Sequence, residues 1–169
     1  MLYAAYGSNL HPFRLQQRVP TAQFLGIARV PDMSLRFHKR GYKDFSGKCN
    51  IVPCLHHTLY AAIYNMSPTA MARLDRYEGA GAGYDRTWIE VDQFGECVTY
   101  VAASEYIDET LTPFSWYKAL VILGCEYLSF PKPYTEAIRA LSAKADLDGE
   151  RHIANMQLVD DCIQWQSSC

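Results

Sequence analysis

Two short stretches, far apart in the chain, hold residue types that could do chemistry together. Gly7-Ser8-Asn9 is a small polar turn that follows the apolar segment Leu2–Tyr6. Glu78 stands between the end of a predicted helix and a loop with three glycines within residues 79–83. Successive backbone N–H groups can bind an anion, and a single carboxylate can transfer protons. If the fold brings the two stretches together, they suffice for chemistry on a small amide without a metal.

Glu78 is the strongest single candidate for an acid or base. A helix C-terminus and apolar neighbours both favour the neutral carboxyl, which raises its proton affinity toward the range of a general base at neutral pH. The alternative is a surface carboxylate on a frayed helix end, paired with Arg76 or Arg86. The glycine turn also has a plain alternative, in which Ser8 and Asn9 bond only to their own backbone. The residue pattern leaves these alternatives open.

Two other chemistries are weaker. Ser8 could act as a nucleophile, but it does not lie in a G-x-S-x-G pattern, and none of the five histidines is marked as its partner. Cys49, Cys54 and the histidines at 56–57 are close in sequence but lack the spacing of a metal site. We therefore predict no metal, and no cofactor is signalled.

The order of predicted elements favours a mixed α+β fold in one domain, residues 1–169, with a small barrel as one arrangement of the strands. Strands are predicted over residues 2–6, 22–30, 34–38, 50–53, 58–65, 84–91 and 97–103. Helices are predicted from Pro12 to before Pro20 (with Arg14 and Arg18 exposed), from Pro68 to Gly79, from Pro113 to about Leu128, over 134–141, and after Gly149.

Composition limits the partners. The net charge is −2, with 49% hydrophobic and 20% charged residues, which fits a globular protein without a basic face for nucleic acid. The basic cluster at 36–43 is interpreted as a solvated hairpin. No apolar run approaches the roughly 18 residues of a membrane span. Six irregularly spaced cysteines and the absence of a secretory signal favour free thiols and a cytoplasmic location. The oligomeric state stays open, and a homodimer is one state that the sequence allows.

Three motifs, taken in order and spacing, resemble the gamma-glutamylcyclotransferase family. They are residues 3–10 (YAAYGSNL), residues 74–79 (LDRYEG) with Gly83-Tyr84, and residues 116–118 (WYK) followed by Gly124. Residues 37–40 (FHKR) and 46–51 (SGKCNI) are similar to the stretch between those motifs in bacterial-type members. The resemblance covers about residues 2–141, so the C-terminal helical pattern has no assigned role.

The resemblance implies a mixed α+β fold with a small β-barrel flanked by helices. It also implies an enzyme that cyclises the γ-glutamyl group of small substrates, giving 5-oxoproline and a free amine or amino acid, without a cofactor. Glu78 matches the acid/base residue of the family. The predicted substrate-binding residues follow the first motif and two pocket tyrosines: Tyr3, Ala4, Ala5, Tyr6, Gly7, Ser8, Asn9, Leu10, Tyr84 and Tyr117.

The chemistry of a γ-glutamyl amide agrees with this expectation, because its nucleophile, the α-amine, is already in the substrate. The enzyme must fold the chain for ring closure, move protons and hold the oxyanion. Two alternatives remain: a non-catalytic module that binds a small ligand, and an amide hydrolase that depends on Ser8. The leaving group is not determined; glutathione, γ-glutamyl amino acids and γ-glutamyl amines share the same glutamyl end. We expect residues 39–48 and 104–112 to contact it.

Overall fold

The computed structural model describes residues 1–168 as one sheet with helices packed around it. The strands are β1 (Leu2–Ala5), β2 (Gln23–Arg40), β3 (Gly47–Asn65), β4 (Tyr84–Val91) and β5 (Gly95–Ala102). The helices are α1 (Pro12–Arg18), α2 (Pro68–Glu78), α3 (Ser115–Tyr127), α4 (Lys132–Ala140) and α5 (Gly149–Ser167), with a 3-10 turn at Ser104–Tyr106. The predicted α+β class is confirmed.

The sheet has the order β2-β3-β1-β5-β4, with β1 antiparallel to β3 and parallel to β5. The predicted barrel is too strong a description, because the sheet is not closed and β2 and β4 are its edges. It does curl. At one end the Asp92 N–H donates to the Arg29 carbonyl at 3.0 Å, and the Arg29 side chain pairs with the Asp92 carboxylate at 3.1 Å.

β2 and β3 form one long hairpin, where the sequence predicted four shorter strands. The predicted breaks coincide with a bulge, in which residues 54–57 lie opposite Asp32. Asp32 and His56 both have positive φ, and the His56 N–H donates to the Asp32 carboxylate at 2.8 Å. The bulge therefore absorbs the turn residues without separating the strands.

The core surrounds β1, whose residues Tyr3, Ala4 and Ala5 are buried between the neighbouring strands and the helices. A second apolar cluster joins α3 to α5 through Trp116, Leu120, Val159 and Cys162, so the unassigned C-terminal helix packs on the rest of the domain. α3 begins at Ser115 rather than Pro113.

Within residues 1–168, the five cysteines that are described form no disulfide, and Cys169 lies outside the described residues. No helix in that part of the chain is both long and apolar enough to cross a membrane.

Candidate active site

The turn at the end of β1 is held close to β3. The Leu10 N–H donates to the Gly7 carbonyl at 3.0 Å, and a methyl group at Gly7 would lie 2.9 Å from Cys49 Cβ. Glycine is therefore required here by the approach of Cys49. Among residues 1–168, the backbone N–H groups of Gly7, Ser8 and Asn9 donate to no protein acceptor, which makes them candidate donors for a ligand oxygen.

Helix α2 ends as the sequence predicted and delivers Glu78 to this turn. The Ser67 hydroxyl caps the helix start by accepting from the Ala70 N–H at 3.1 Å, and Gly79 ends it with φ of 67°. Asp75 of the same helix pairs with Arg86 and accepts from the Tyr100 hydroxyl at 2.8 Å, which fixes the helix on the sheet.

The Glu78 carboxylate is held on one oxygen only. Its Oε1 accepts from Asn9 Nδ2 and from Arg18 Nη1, both at 2.9 Å, and the side chain is 17% exposed. Asn9 in turn accepts from Arg18 at 3.1 Å and donates to the Tyr3 hydroxyl at 3.3 Å. Within residues 1–168, Oε2 has no hydrogen-bond partner, so it is the oxygen left for a substrate proton.

The surface-carboxylate alternative placed Glu78 beside Arg76 or Arg86. In the structure Arg86 pairs with Asp75, and Arg18 of α1 is the partner of Glu78. The expectation that Arg18 is exposed was wrong, because α1 lies beside the turn with this side of the helix toward Glu78.

Buried tyrosines surround a small recess of about 30 Å³ beside Glu78. Tyr6 donates to the Tyr100 carbonyl and Tyr84 donates to the Cys49 carbonyl, so both hydroxyls are occupied. Tyr117 accepts from the Cys49 N–H at 3.2 Å. The residues lining the recess are Tyr3, Tyr6, Gly7, Ser8, Asn9, Cys49, Glu78, Tyr84, Tyr100 and Tyr117.

These phenols are neutral hydrogen-bonding groups. Burial raises the pKa of Tyr3 and of Tyr117 well above the ordinary value for tyrosine, and the nearby Glu78 carboxylate acts in the same direction. Burial likewise raises the pKa of the Cys49 thiol to about 12. Tyr3 and Tyr117 accept hydrogen bonds and keep a hydrogen of their own, so they can act as donors toward a substrate.

Not every predicted substrate-binding residue reaches this recess. Ala4, Ala5 and Leu10 are fully buried and line neither the recess nor the cleft outside it. Leu10 instead packs against α3, where a methyl group at Gly124 would lie 2.5 Å from its Cβ. These three residues support the turn from within the core, and their contact with a substrate stays a prediction.

The recess opens into a larger cleft of about 510 Å³, and Ser8, Glu78, Tyr84 and Tyr117 line both. Six cationic side chains and two carboxylates line the cleft, although the chain as a whole is slightly acidic. The two carboxylates are already paired, Glu78 with Arg18 and Asp44 with Lys48 at 2.6 Å. The cations are Arg14, Arg18, Lys39, Lys43, Lys48 and Arg76.

Several of these cations were missed in the sequence. Arg14 and Arg18 are spaced four residues apart on α1, a spacing that puts them on one side of the helix next to the turn. Lys39 belongs to the cluster interpreted as a solvated hairpin, yet it is 5% exposed. Part of the predicted leaving-group region, Lys39 to Lys48, does line the cleft, whereas residues 104–112 do not.

The described part of the chain gives little support for a Ser8 nucleophile or for a metal site. No histidine among residues 1–168 lines the recess or the cleft, so Ser8 has no imidazole partner there. No group of three or more histidine, cysteine, aspartate or glutamate side chains in the same range is arranged to hold a metal ion.

Comparison with known proteins finds matches in the family that the sequence motifs resemble. A family model described as "Gamma-glutamyl cyclotransferase, AIG2-like" matches residues 3–118. The chain is 29% identical over 147 residues to human gamma-glutamylcyclotransferase, covering 83% of this chain and 78% of that protein. It is 28% identical over 146 residues to the mouse protein of that name, with the same coverage.

Solved structures share the fold. One described as "Gamma-glutamyl cyclotransferase" has a TM-score of 0.80 at 23% identity, covering 95% of this chain and 98% of its own. A human protein described as uncharacterized has a TM-score of 0.79 at 24% identity, covering 94% and 97%. The family match extends over most of the chain and contains the turn, Glu78 and Tyr117. The chain belongs to the gamma-glutamyl cyclotransferase, AIG2-like family.

Proposed function

We propose that this protein is a gamma-glutamylcyclotransferase that converts γ-glutamyl amides or dipeptides to 5-oxoproline and a free amine or amino acid. The observation that carries the proposal is the half-held carboxylate: Asn9 and Arg18 donate to Glu78 Oε1, Oε2 has no hydrogen-bond partner within residues 1–168, and Glu78 lines both the recess and the cleft. The curated relatives named gamma-glutamylcyclotransferase support the same activity.

The substrate spans the recess and the cleft. A recess of about 30 Å³ has room for a group the size of one water, so only the polar end of a glutamyl moiety enters it. The remainder lies in the cleft of about 510 Å³. The free N–H groups of the Gly7-Ser8-Asn9 turn hold a substrate oxygen, either the oxyanion or the α-carboxylate.

Ring closure needs one base and no protein nucleophile. Glu78 Oε2 takes a proton from the α-ammonium, and the α-nitrogen attacks the γ-carbonyl carbon to form a five-membered ring. The carbonyl oxygen carries the negative charge of the tetrahedral intermediate. The bond from this carbon to the leaving nitrogen then breaks, and Glu78 gives its proton to that nitrogen. The regenerated carboxylate takes the second proton from the ring nitrogen, which leaves a neutral lactam, and passes it to the released amine.

Arg18 and Asn9 are positioning residues in this proposal. Both donate to Oε1 and so fix the carboxylate, which leaves the other oxygen, Oε2, as the proton acceptor. Arg18 also supplies the positive charge that compensates Glu78 in a half-buried site. The proposed step uses no cofactor, and the reaction is expected to take place in the cytoplasm.

Product identity tests the proposal. Purified protein is incubated with γ-glutamyl-alanine, and chromatography separates 5-oxoproline from glutamate. We expect 5-oxoproline and alanine in equal amounts. Glutamate as the product, with loss of activity in Ser8→Ala, would instead support the hydrolase. Stabilisation by the dipeptide without any product would support a non-catalytic binding module.

A further inference from the structure

Lys39 is a buried cation without a carboxylate partner. Its side chain is on the last part of β2 and the residue is 5% exposed. Within residues 1–168, no carboxylate lies within 4.0 Å of its ammonium and no acceptor is hydrogen-bonded to it. Burial of an unpaired charge is unfavourable, so such a residue calls for an explanation.

The surroundings keep this ammonium at the cleft. It lies 4.6 Å from the centre of the Tyr84 ring and 5.8 Å from that of Tyr106, within the range of cation–π attraction. Gly83 makes room for it, since a methyl group there would lie 2.9 Å from Lys39 Nζ. The ammonium is therefore held in place by aromatic faces and a glycine, and it has no anion of its own.

Lys39 lies on the cleft side of Tyr84, although the Glu78 carboxylate still attracts its ammonium over a distance greater than 4.0 Å. Tyr84 lines both the recess and the cleft, whereas Lys39 lines only the cleft. A substrate whose glutamyl end enters the recess therefore presents its other end on the side where Lys39 lies.

A second cation of the cleft, Arg14, also lacks a carboxylate partner within residues 1–168. Arg14 lines the cleft, and its buried Nε has no hydrogen-bond partner in residues 1–168. Arg18, four residues further along α1, is occupied by Glu78, but Arg14 has no carboxylate within 4.0 Å in that range. The other cations without such a partner, Lys43 and Arg76, are exposed.

We propose that Lys39, assisted by Arg14, forms an anion subsite that binds a carboxylate on the leaving part of the substrate and so determines specificity. The subsite rests on the proposed function and deepens it. It selects γ-glutamyl compounds whose leaving group is an amino acid or peptide with a free carboxylate over those whose leaving group is a neutral amine.

The test compares two substrates that differ only in that charge, γ-glutamyl-alanine and γ-glutamyl-alaninamide, on wild type and Lys39→Met. Methionine keeps the apolar stem and removes the charge. We expect kcat/KM for γ-glutamyl-alanine to fall about 10- to 100-fold, in KM more than in kcat, because a hydrogen bond to a charged group is lost. For γ-glutamyl-alaninamide we expect less than about a threefold change.

Two controls support the comparison. Arg40→Met removes a charge from the exposed neighbouring residue, which does not line the cleft, and should leave both substrates unchanged. Lys39→Arg keeps the charge and should keep most of the preference for the carboxylate substrate. The wild-type preference is itself a test that needs no variant.

Three results would overturn the subsite: no wild-type preference for γ-glutamyl-alanine, an equal loss on both substrates in Lys39→Met, or no loss on either. An equal loss would assign Lys39 to the glutamyl end, which both substrates share. Calorimetry with Glu78→Gln separates the two proposals. If binding depends on the leaving-group carboxylate but wild type forms no 5-oxoproline, the subsite is retained and the cyclotransferase is rejected. If wild type forms 5-oxoproline and Lys39→Met does not change the rate on either substrate, the cyclotransferase is retained and the subsite is rejected.

Discussion

Replacing Glu78 with glutamine isolates proton transfer from the rest of the site. A glutamine carbonyl oxygen can accept from Asn9 and Arg18 as Glu78 Oε1 does, at the observed 2.9 Å. The amide NH₂ then takes the place of Oε2 and cannot accept a proton. The substitution therefore removes the proposed base while preserving the contacts that position it.

The expected magnitudes differ for activity and stability. General acid–base catalysis contributes roughly 10²–10⁴-fold, so we expect kcat to fall by this factor, or about 3–5 kcal/mol in barrier height. In Glu78→Gln, the two hydrogen bonds that Asn9 and Arg18 donate go to a neutral acceptor instead of a charged one. The free energy of unfolding should then fall by no more than about 2 kcal/mol.

The assay follows 5-oxoproline from a γ-glutamyl dipeptide, with dissociation constants measured by calorimetry on wild type and variant. We expect unchanged binding and a loss confined to kcat. Glu90→Gln, the same substitution at an exposed position of β4, is the matched control and should retain full activity. A Glu78→Gln protein that turns over within tenfold of wild type would remove Glu78 from the mechanism.

Three further predictions concern the stability of the protein. Gly7→Ala should lower the free energy of unfolding by about 1–3 kcal/mol in urea titrations, because its methyl group meets Cys49 Cβ, whereas Gly149→Ala, in open space, should not. Burial lowers the pKa of His11 from 6.5 to about 4, so the unfolded chain binds more protons between these values. Stability should fall by about 2–3 kcal/mol as pH drops from 6.5 to 4, and His11→Asn should flatten that slope. Lys39→Met should raise stability by about 1 kcal/mol in thermal melts, since an unpaired buried charge is removed; a marked loss would contradict this.

Local signals explain which elements could be predicted. Helix α2 is marked by its own residues, Ser67, Pro68 and Gly79, and these occupy the predicted cap positions. The long β2–β3 hairpin was missed because its bulge contains residues that usually end strands. Asp32 and His56 adopt positive φ and bond to each other across the bulge, an arrangement that depends on the pairing of the two strands.

Part of the site could be predicted because two of its segments carry local sequence signals. The turn after β1 and the end of α2 each have a local signature, and the structure brings them together at Asn9 and Glu78. The ion pair of Glu78 with Arg18 joins residues far apart in the chain, and nothing in the pattern of α1 specifies it. An arginine among polar helix residues is usually exposed, so its burial becomes visible only when the helix is docked.

The charge balance links the two halves of the site. Glu78 and Asp44 each have a cationic partner, so the carboxylates of the cleft neutralise Arg18 and Lys48 and leave the remaining cations uncompensated. A substrate with two carboxylates would supply that missing negative charge at the same time as it fills the cleft. Binding of the second carboxylate near Lys39 removes the electrostatic cost of holding this ammonium without a partner. Only a ligand that reaches from the recess to Lys39 with a carboxylate gains this free energy. A substrate with a neutral leaving amine would also extend into the cleft but would bring no second carboxylate to Lys39 and would forgo this gain, so the arrangement that makes the empty site less stable is also the one that separates the two substrate classes.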